Sequence, residues 1–211
     1  MDLNENIVKY IVEKIFPQYD TNIGGHGIEH VKNVINRSFE LNELFHLNLN
    51  PNMVYVIAAF HDMGYKVDPE NHEQVSADIF YQDEVMKYFF SDEDRQIIYE
   101  AIIDHRASLE YEARSVYGKL VSSADRAIDI DIALWGIILF QRDKHKDENL
   151  SDLYIIEYAY KKLASKYGKG GYAKMYFPDQ KYQDFLDAMQ ELVADKERFI
   201  EKELSLIRAH K

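Results

Sequence analysis

The chain has 211 residues, 46% of them hydrophobic, with 25 basic against 37 acidic side chains and a net charge of −12. That length and apolar content suffice for one domain with a sizeable core and exclude wholesale disorder, while the acidic balance excludes general binding of DNA or RNA, whose affinity comes from neutralising phosphates. The lack of cysteine excludes disulfides, thiolate zinc sites, iron–sulfur clusters and a cysteine nucleophile.

In chain order the pattern is helical. Ile7, Tyr10, Ile11 and Ile15 recur at helical spacing and predict a first helix ending before Pro17. Acid without base over Met1–Asn6 is unlike a signal peptide, and no apolar run reaches a membrane span, so a cytoplasmic protein without membrane contact is expected. Asp20 to Gly27 is turn-rich and predicts a loop. A second helix starts near Ile28, with Val31, Val34, Ile35, Phe39 and Leu41 on its apolar side. Asn50-Pro51 opens a third, whose stretch Val54 to Phe60 is apolar all round and therefore buried, with Gly64 as its end. A loop at 65–71, a fourth helix at 72–90 and a fifth at 92–107 follow, Ser91 serving as N-cap with Asp94 as capping-box partner. A further helix ends near Ala127 and another covers Ile130 to Gln141, where Trp135 is expected in the core. The charge run Arg142 to Glu148 reads as a solvated helix end, and two amphipathic helices at 149–168 and 179–208 are parted by Lys169-Gly170-Gly171. Strand-like alternation is nowhere sustained. The fold class is all-α, a single domain over 1–211 with a motif-bearing core at about 20–130 and a C-terminal helical elaboration at about 131–211.

Within this pattern His30, His61, Asp62, His72, His105 and Asp125 stand beside residues that look buried, whereas His46, His145 and His210 have polar surroundings and are expected at the surface. Adjacent helix residues diverge by about 100°, so His61 and Asp62 converge on one point only near a helix end. A carboxylate after an apolar helix is costly to bury unless it is paired or holds a metal. Four His and two Asp suit one or two divalent ions per chain, among Mn, Ni, Co, Zn, Mg and Fe. Two such ions a few ångströms apart serve displacement at phosphorus. His26, in a glycine-rich loop, is a candidate general acid or substrate contact, with a structural loop role as the alternative. Lys66, Arg106 and Arg126 are candidate phosphate contacts, the alternative being ion pairs or solvated surface charges.

The order His30, His61-Asp62, Asp125 resembles the HD superfamily, named for its His-Asp pair, whose best-known members are metal-dependent phosphohydrolases. The resemblance rests on His30 with Val31 and Val34, on Ala58-Ala59-Phe60-His61-Asp62-Met63-Gly64 and on Ser123-Ala124-Asp125-Arg126, and spans about 20–130. It implies an HD helical bundle in which His30, His61, Asp62 and Asp125 hold one metal whose bound water is the nucleophile. His72 and His105 match the extra histidines of two-metal members, where Asp62 bridges. The implied activity is hydrolysis of a nucleotide or other small phosphate ester; from the residues themselves, Asp62, His26 and Arg126 are expected as catalytic groups, Lys66, Arg106 and Arg126 on the substrate, and the protein as a monomer or homodimer. One departure bears on substrate: cyclic-dinucleotide phosphodiesterases of this superfamily usually carry Lys directly after the motif's Gly, where this chain has Tyr65, and their Gly-Tyr-Pro signature is absent near His105. The same ligand set also resembles that of HD-type di-iron oxygenases. A metal-stabilised module that binds a nucleotide without turnover is the non-enzymatic alternative.

Overall fold

The computed structural model describes residues 2–22 and 25–210; Met1, Lys211 and, within the expected loop at 20–27, Ile23 and Gly24 lie outside the described residues. Among the described residues every regular element is helical, and no helix is long and apolar enough to cross a membrane. The chain divides into two compact units. The first comprises residues up to Asn22, His26–Asp125 and Met175–Phe177, the second Arg126–Lys174 and Pro178 onward.

The first unit begins with α1 (Glu5–Tyr10), capped by Asn4, whose side chain accepts from the Asn6 and Ile7 N–H groups. As expected, this helix ends before Pro17. The chain tightens from a π-helical turn at Ile11–Ile15 into a 3-10 turn at Phe16–Thr21, with Pro17 at the turn's start, where a missing N–H is tolerated. Then follow α2 (Ile28–Leu44), α3 (Pro51–Phe60), α4 (His72–Gln82), α5 (Met86–Phe89), α6 (Asp92–Ile103) and α7 (Val116–Ala124). Helix α3 is the centre of the unit. Every residue from Met53 to Phe60 is buried, and α2, α4, α6 and α7 pack on it. A helix apolar on all sides is stable in water only when covered in this way.

The predicted fourth helix is two helices, because Asp83 interrupts it. Its backbone is extended (ψ 111°), and its carboxylate accepts from the Val85 and Met86 N–H groups and from the Tyr10 hydroxyl. A short acceptor that competes for backbone donors ends one helix and starts the next. Ser91 caps α6 as expected: its Oγ accepts from the Asp94 N–H at 3.1 Å and donates to the Asp94 carboxylate at 2.8 Å. Helices α6 and α7 stop earlier than expected, at Ile103 and Ala124.

Gly64 matters for a reason other than ending a helix. Its N–H donates to Ser76 Oγ at 2.8 Å, and a Cβ at this position would lie 2.6 Å from the His72 carbonyl oxygen and 2.8 Å from the Ser76 nitrogen. The turn after α3 thus lies directly on the first turn of α4. Backbone cannot retreat as a flexible side-chain end can, so Gly64→Ala is expected to destabilise the protein by about 1–3 kcal/mol or more. Urea unfolding reads this directly, and an unchanged midpoint would contradict the close approach.

The second unit holds α8 (Ile130–Lys144), α9 (Asp152–Tyr167), α10 (Gln180–Ala194) and α11 (Lys196–Ala209). Asp129, Ser151, Asp179 and Asp195 cap these four in turn, each side chain accepting a backbone N–H. The single helix expected at 179–208 is therefore broken: Asp195 leaves helical geometry (φ −117°, ψ 94°) and its carboxylate accepts from the Arg198 N–H to start α11. Helix α9 packs on α8, α10 and α11 through buried Ile155, Ile156, Ala159 and Leu163. Trp135, expected in the core, is only half-buried and stacks on His210 with ring centroids 4.1 Å apart. His46 and His210 are exposed as expected, whereas His145 is half-buried, 2.9 Å from Glu148.

Candidate metal centre

Five helix ends of the first unit bring the six predicted ligands together. His30 lies in the first turn of α2 and His72 opens α4. His61-Asp62 follows the last residue of α3, His105 follows the Asp104 cap of α6, and Asp125 caps α7. The turn beyond Phe60 gives the convergence that adjacent positions within a helix cannot have: His61 Nε2 lies 3.3 Å from Asp62 Oδ2.

Asp62 is 1% exposed and divides the cluster between its two oxygens. Oδ2 faces His30 Nε2 at 3.4 Å and His61 Nε2 at 3.3 Å, and Asp125 Oδ1 lies 3.2 Å from the same His30 nitrogen. Oδ1 faces His72 Nε2 at 3.4 Å and His105 Nε2 at 3.6 Å. Three groups, His26–His30–Asp62, His30–His61–Asp125 and Asp62–His72–His105, each bring three donor atoms close enough to hold one ion. Within each of the last two groups two imidazole nitrogens face each other, His30 and His61 at 3.2 Å and His72 and His105 at 3.3 Å. Facing lone pairs at that distance require a proton or a metal cation between them.

Three of the imidazoles are oriented by one device. The Nδ1 of His61 donates to the Ala58 carbonyl at 2.8 Å, that of His72 to Pro69 at 3.1 Å and that of His105 to Ile102 at 2.5 Å. A carbonyl only accepts, so Nδ1 carries the proton and Nε2 is the donor atom turned to Asp62, the arrangement that fixes histidine ligands in metal sites. The donor set therefore fits divalent cations of nitrogen and oxygen preference.

The electrostatics agree. For Asp62, burial works to raise the carboxyl, but the surrounding imidazoles of His61, His26 and His105 hold it well below the usual range. Burial likewise works to lower His30, yet its bonds to Asp125 and Asp62 lift it to about 10. His105 is raised against its burial by Asp62, while burial pushes His72 down to about 4. Buried carboxylates here demand positive charge, which protons or metal ions supply.

His26 joins the cluster: its Nδ1 lies 2.7 Å from Asp62 Oδ2, and its side chain is 31% exposed. The candidate phosphate contacts differ in their surroundings. Arg106 donates to Glu73 Oε1 at 2.7 Å and to the Glu70 carbonyl, and Glu73 in turn lies 3.6 Å from His72 Nδ1. Lys66 is exposed in the turn after Tyr65. Arg126 belongs to the second unit, where it is buried and its Nε donates to the Lys174 carbonyl at 3.2 Å.

Other supports had no readable pattern in the sequence. The Tyr19 hydroxyl donates to the Ala59 carbonyl at 2.8 Å, and the Asn22 amide donates to the carbonyls of both His26 and Asp62. Fully buried Asp104 receives the Arg114 N–H at 2.6 Å and its guanidinium at 2.7 Å, fixing the end of α6 next to His105. Ser76 anchors Gly64 by accepting its N–H.

Helix ends that gather four histidines and two aspartates around one shared carboxylate define a helical domain of the His-Asp type, with a donor set suited to metal ions. Residues 27–128 match the HD domain family, and this stretch of the chain is an HD domain. All six candidate ligands fall inside the matched stretch, and His26 lies just before it. A crystal structure of a predicted HD superfamily hydrolase from an uncultured Thermotogales bacterium is similar, with a TM-score of 0.49 and 17% identity over 95% of this chain and 91% of that one. No curated protein matches.

Proposed function

We propose that the protein is a hydrolase of a small phosphate ester, a nucleotide foremost, working with two divalent cations at the His/Asp cluster. The observation that carries this reading is the division of Asp62, whose Oδ2 serves the His30–His61–Asp125 side and whose Oδ1 serves His72 and His105. Cations bound in such a pair polarise phosphoryl oxygens and bring the pKa of bound water near neutrality. The chain's own part is to hold their ligands rigidly at five helix ends, with each imidazole set by its carbonyl or carboxylate partner. His26 is half-exposed while the other side chains around Asp62 are more deeply buried, so it is the group suited to passing a proton to a leaving oxygen. The acidic surface favours a small anion entering a local site over a polyanion lying across the protein.

Metal content of the purified protein, read by elemental mass spectrometry beside phosphate release from a nucleotide panel, tests the proposal. About two ions per chain are expected, falling to about one in His72→Ala and in His105→Ala, with turnover supported by manganese, cobalt, nickel, zinc or magnesium. One ion unchanged by those substitutions would refute the paired site. Bound iron with dioxygen consumption and no phosphate release would refute the hydrolase.

A further inference from the structure

Tyr65 stands where the sequence departs from the cyclic-dinucleotide enzymes, and the structure gives it a definite neighbour. It is 6% exposed, and its N–H donates to the Asp62 carbonyl at 3.0 Å, so it is part of the same turn as the shared ligand. Its ring lies against the His26 imidazole almost face to face, with centroids 3.8 Å apart and planes 20° from parallel. The same ring packs at a tilt against His72, with centroids 5.2 Å apart. The Asn22 amide ties the His26 carbonyl, at 3.0 Å, and the Asp62 carbonyl, at 3.1 Å, to one point. The backbone of His26 is thus fixed by Asn22, but its side chain, 31% exposed on a loop, still has two torsions to settle. An imidazole makes hydrogen bonds in its own plane, so whatever fixes that plane decides whether Nδ1 meets Asp62 Oδ2. A flat aromatic wall at stacking distance does so.

We propose that Tyr65 is a positioning residue for His26: by stacking on the imidazole it holds Nδ1 against Asp62 Oδ2 and keeps the ring in place for proton transfer, a consequence that rests on the hydrolase reading. The ring face performs this task, so Phe in place of Tyr65 preserves it and an aliphatic side chain of similar bulk does not.

The test uses the full chain loaded with Zn2+, which leaves imidazole spectra sharp. Long-range proton–nitrogen NMR gives the His26 ring signals, assigned by their loss in His26→Ala. In Tyr65→Leu those signals are expected to move toward free, tautomer-averaged imidazole while zinc content stays at the wild-type value. The kcat for a nucleotide substrate is expected to fall about ten-fold with KM within about two-fold, the size of effect typical of losing an outer partner of a metal site. Tyr65→Phe is expected to restore the His26 signals and most of the lost kcat. Unmoved His26 signals in Tyr65→Leu would overturn the proposal, as would loss of zinc, which would make the ring a support of the ligands themselves. Moved signals in a protein that hydrolyses no phosphate ester would uphold the positioning and overturn the hydrolase reading.

Discussion

Asp62→Ala is expected to remove metal binding and activity together while leaving helical circular dichroism nearly intact. The Asp62 carboxylate faces the Nε2 atoms of His30, His61, His72 and His105, all within 3.6 Å of one or other of its oxygens. Removing it takes a donor from both ion sites at once, whereas His72→Ala touches only one. Losing a mere outer partner of a metal ligand weakens binding or activity by about 10–100-fold, so losing the shared ligand should exceed about 100-fold in both. The helices should persist because Asp62 lies beyond the end of α3, and the side-chain caps that start α3 and α6 are made by Asn50 and Ser91. Two readings are needed, metal per chain by elemental analysis and phosphate release. Activity retained at even a tenth of the wild-type value would sink the assignment of the site.

The convergence of the six candidate ligands was legible in the sequence because of where such side chains must be in a helical protein to meet at one point. They sit at helix ends, where backbone turns let neighbouring side chains converge, and beside the apolar runs that bury them, as His61-Asp62 follows Val54 to Phe60. The helices were legible through their periodicity, and Ser91 through its capping pattern. The breaks at Asp83 and Asp195 were not. An aspartate on an amphipathic helix has the polarity of an ordinary surface residue, and only the structure shows its carboxylate taking backbone N–H groups that a continuous helix would have used. Pro17 marked the end of the first helix correctly, but not the 3-10 turn that it helps to start. The supports of the site were hidden by distance along the chain: Tyr19 meets Ala59, Asn22 meets Asp62 and Arg106 meets Glu73, pairs that no local pattern links. Gly64 was legible as special, but its reason, the backbone of α4 lying on it, was not.

In the second unit the largest expected effect is at Glu203. This residue is 0% exposed in α11, one helical turn from buried Phe199 and one from buried Ile207, and neither of its carboxylate oxygens has a hydrogen-bond partner among the described residues. Burial alone raises its carboxyl from 4.5 to about 8, without a contribution from any neighbouring charge. Unfolded, the same group ionises near its ordinary value. Between about pH 4.5 and pH 8 the unfolded chain therefore releases a proton that the native chain retains, so native stability falls through this window as pH rises and levels off above it. A rise of that size corresponds to roughly 5 kcal/mol at most, a large part of the net stability of an ordinary domain. Glu203→Gln removes the titration, so its melting temperature relative to the wild type should climb from pH 5 to pH 8, by on the order of 10 °C across the window. Glu203→Leu also removes the unpartnered polar atoms and completes the apolar stripe, so it should be the more stable of the two at every pH. Parallel melting curves for wild type and Glu203→Gln, with no divergence between pH 5 and pH 8, would mean that water or a side-chain shift reaches the carboxylate and that its burial is not maintained in solution.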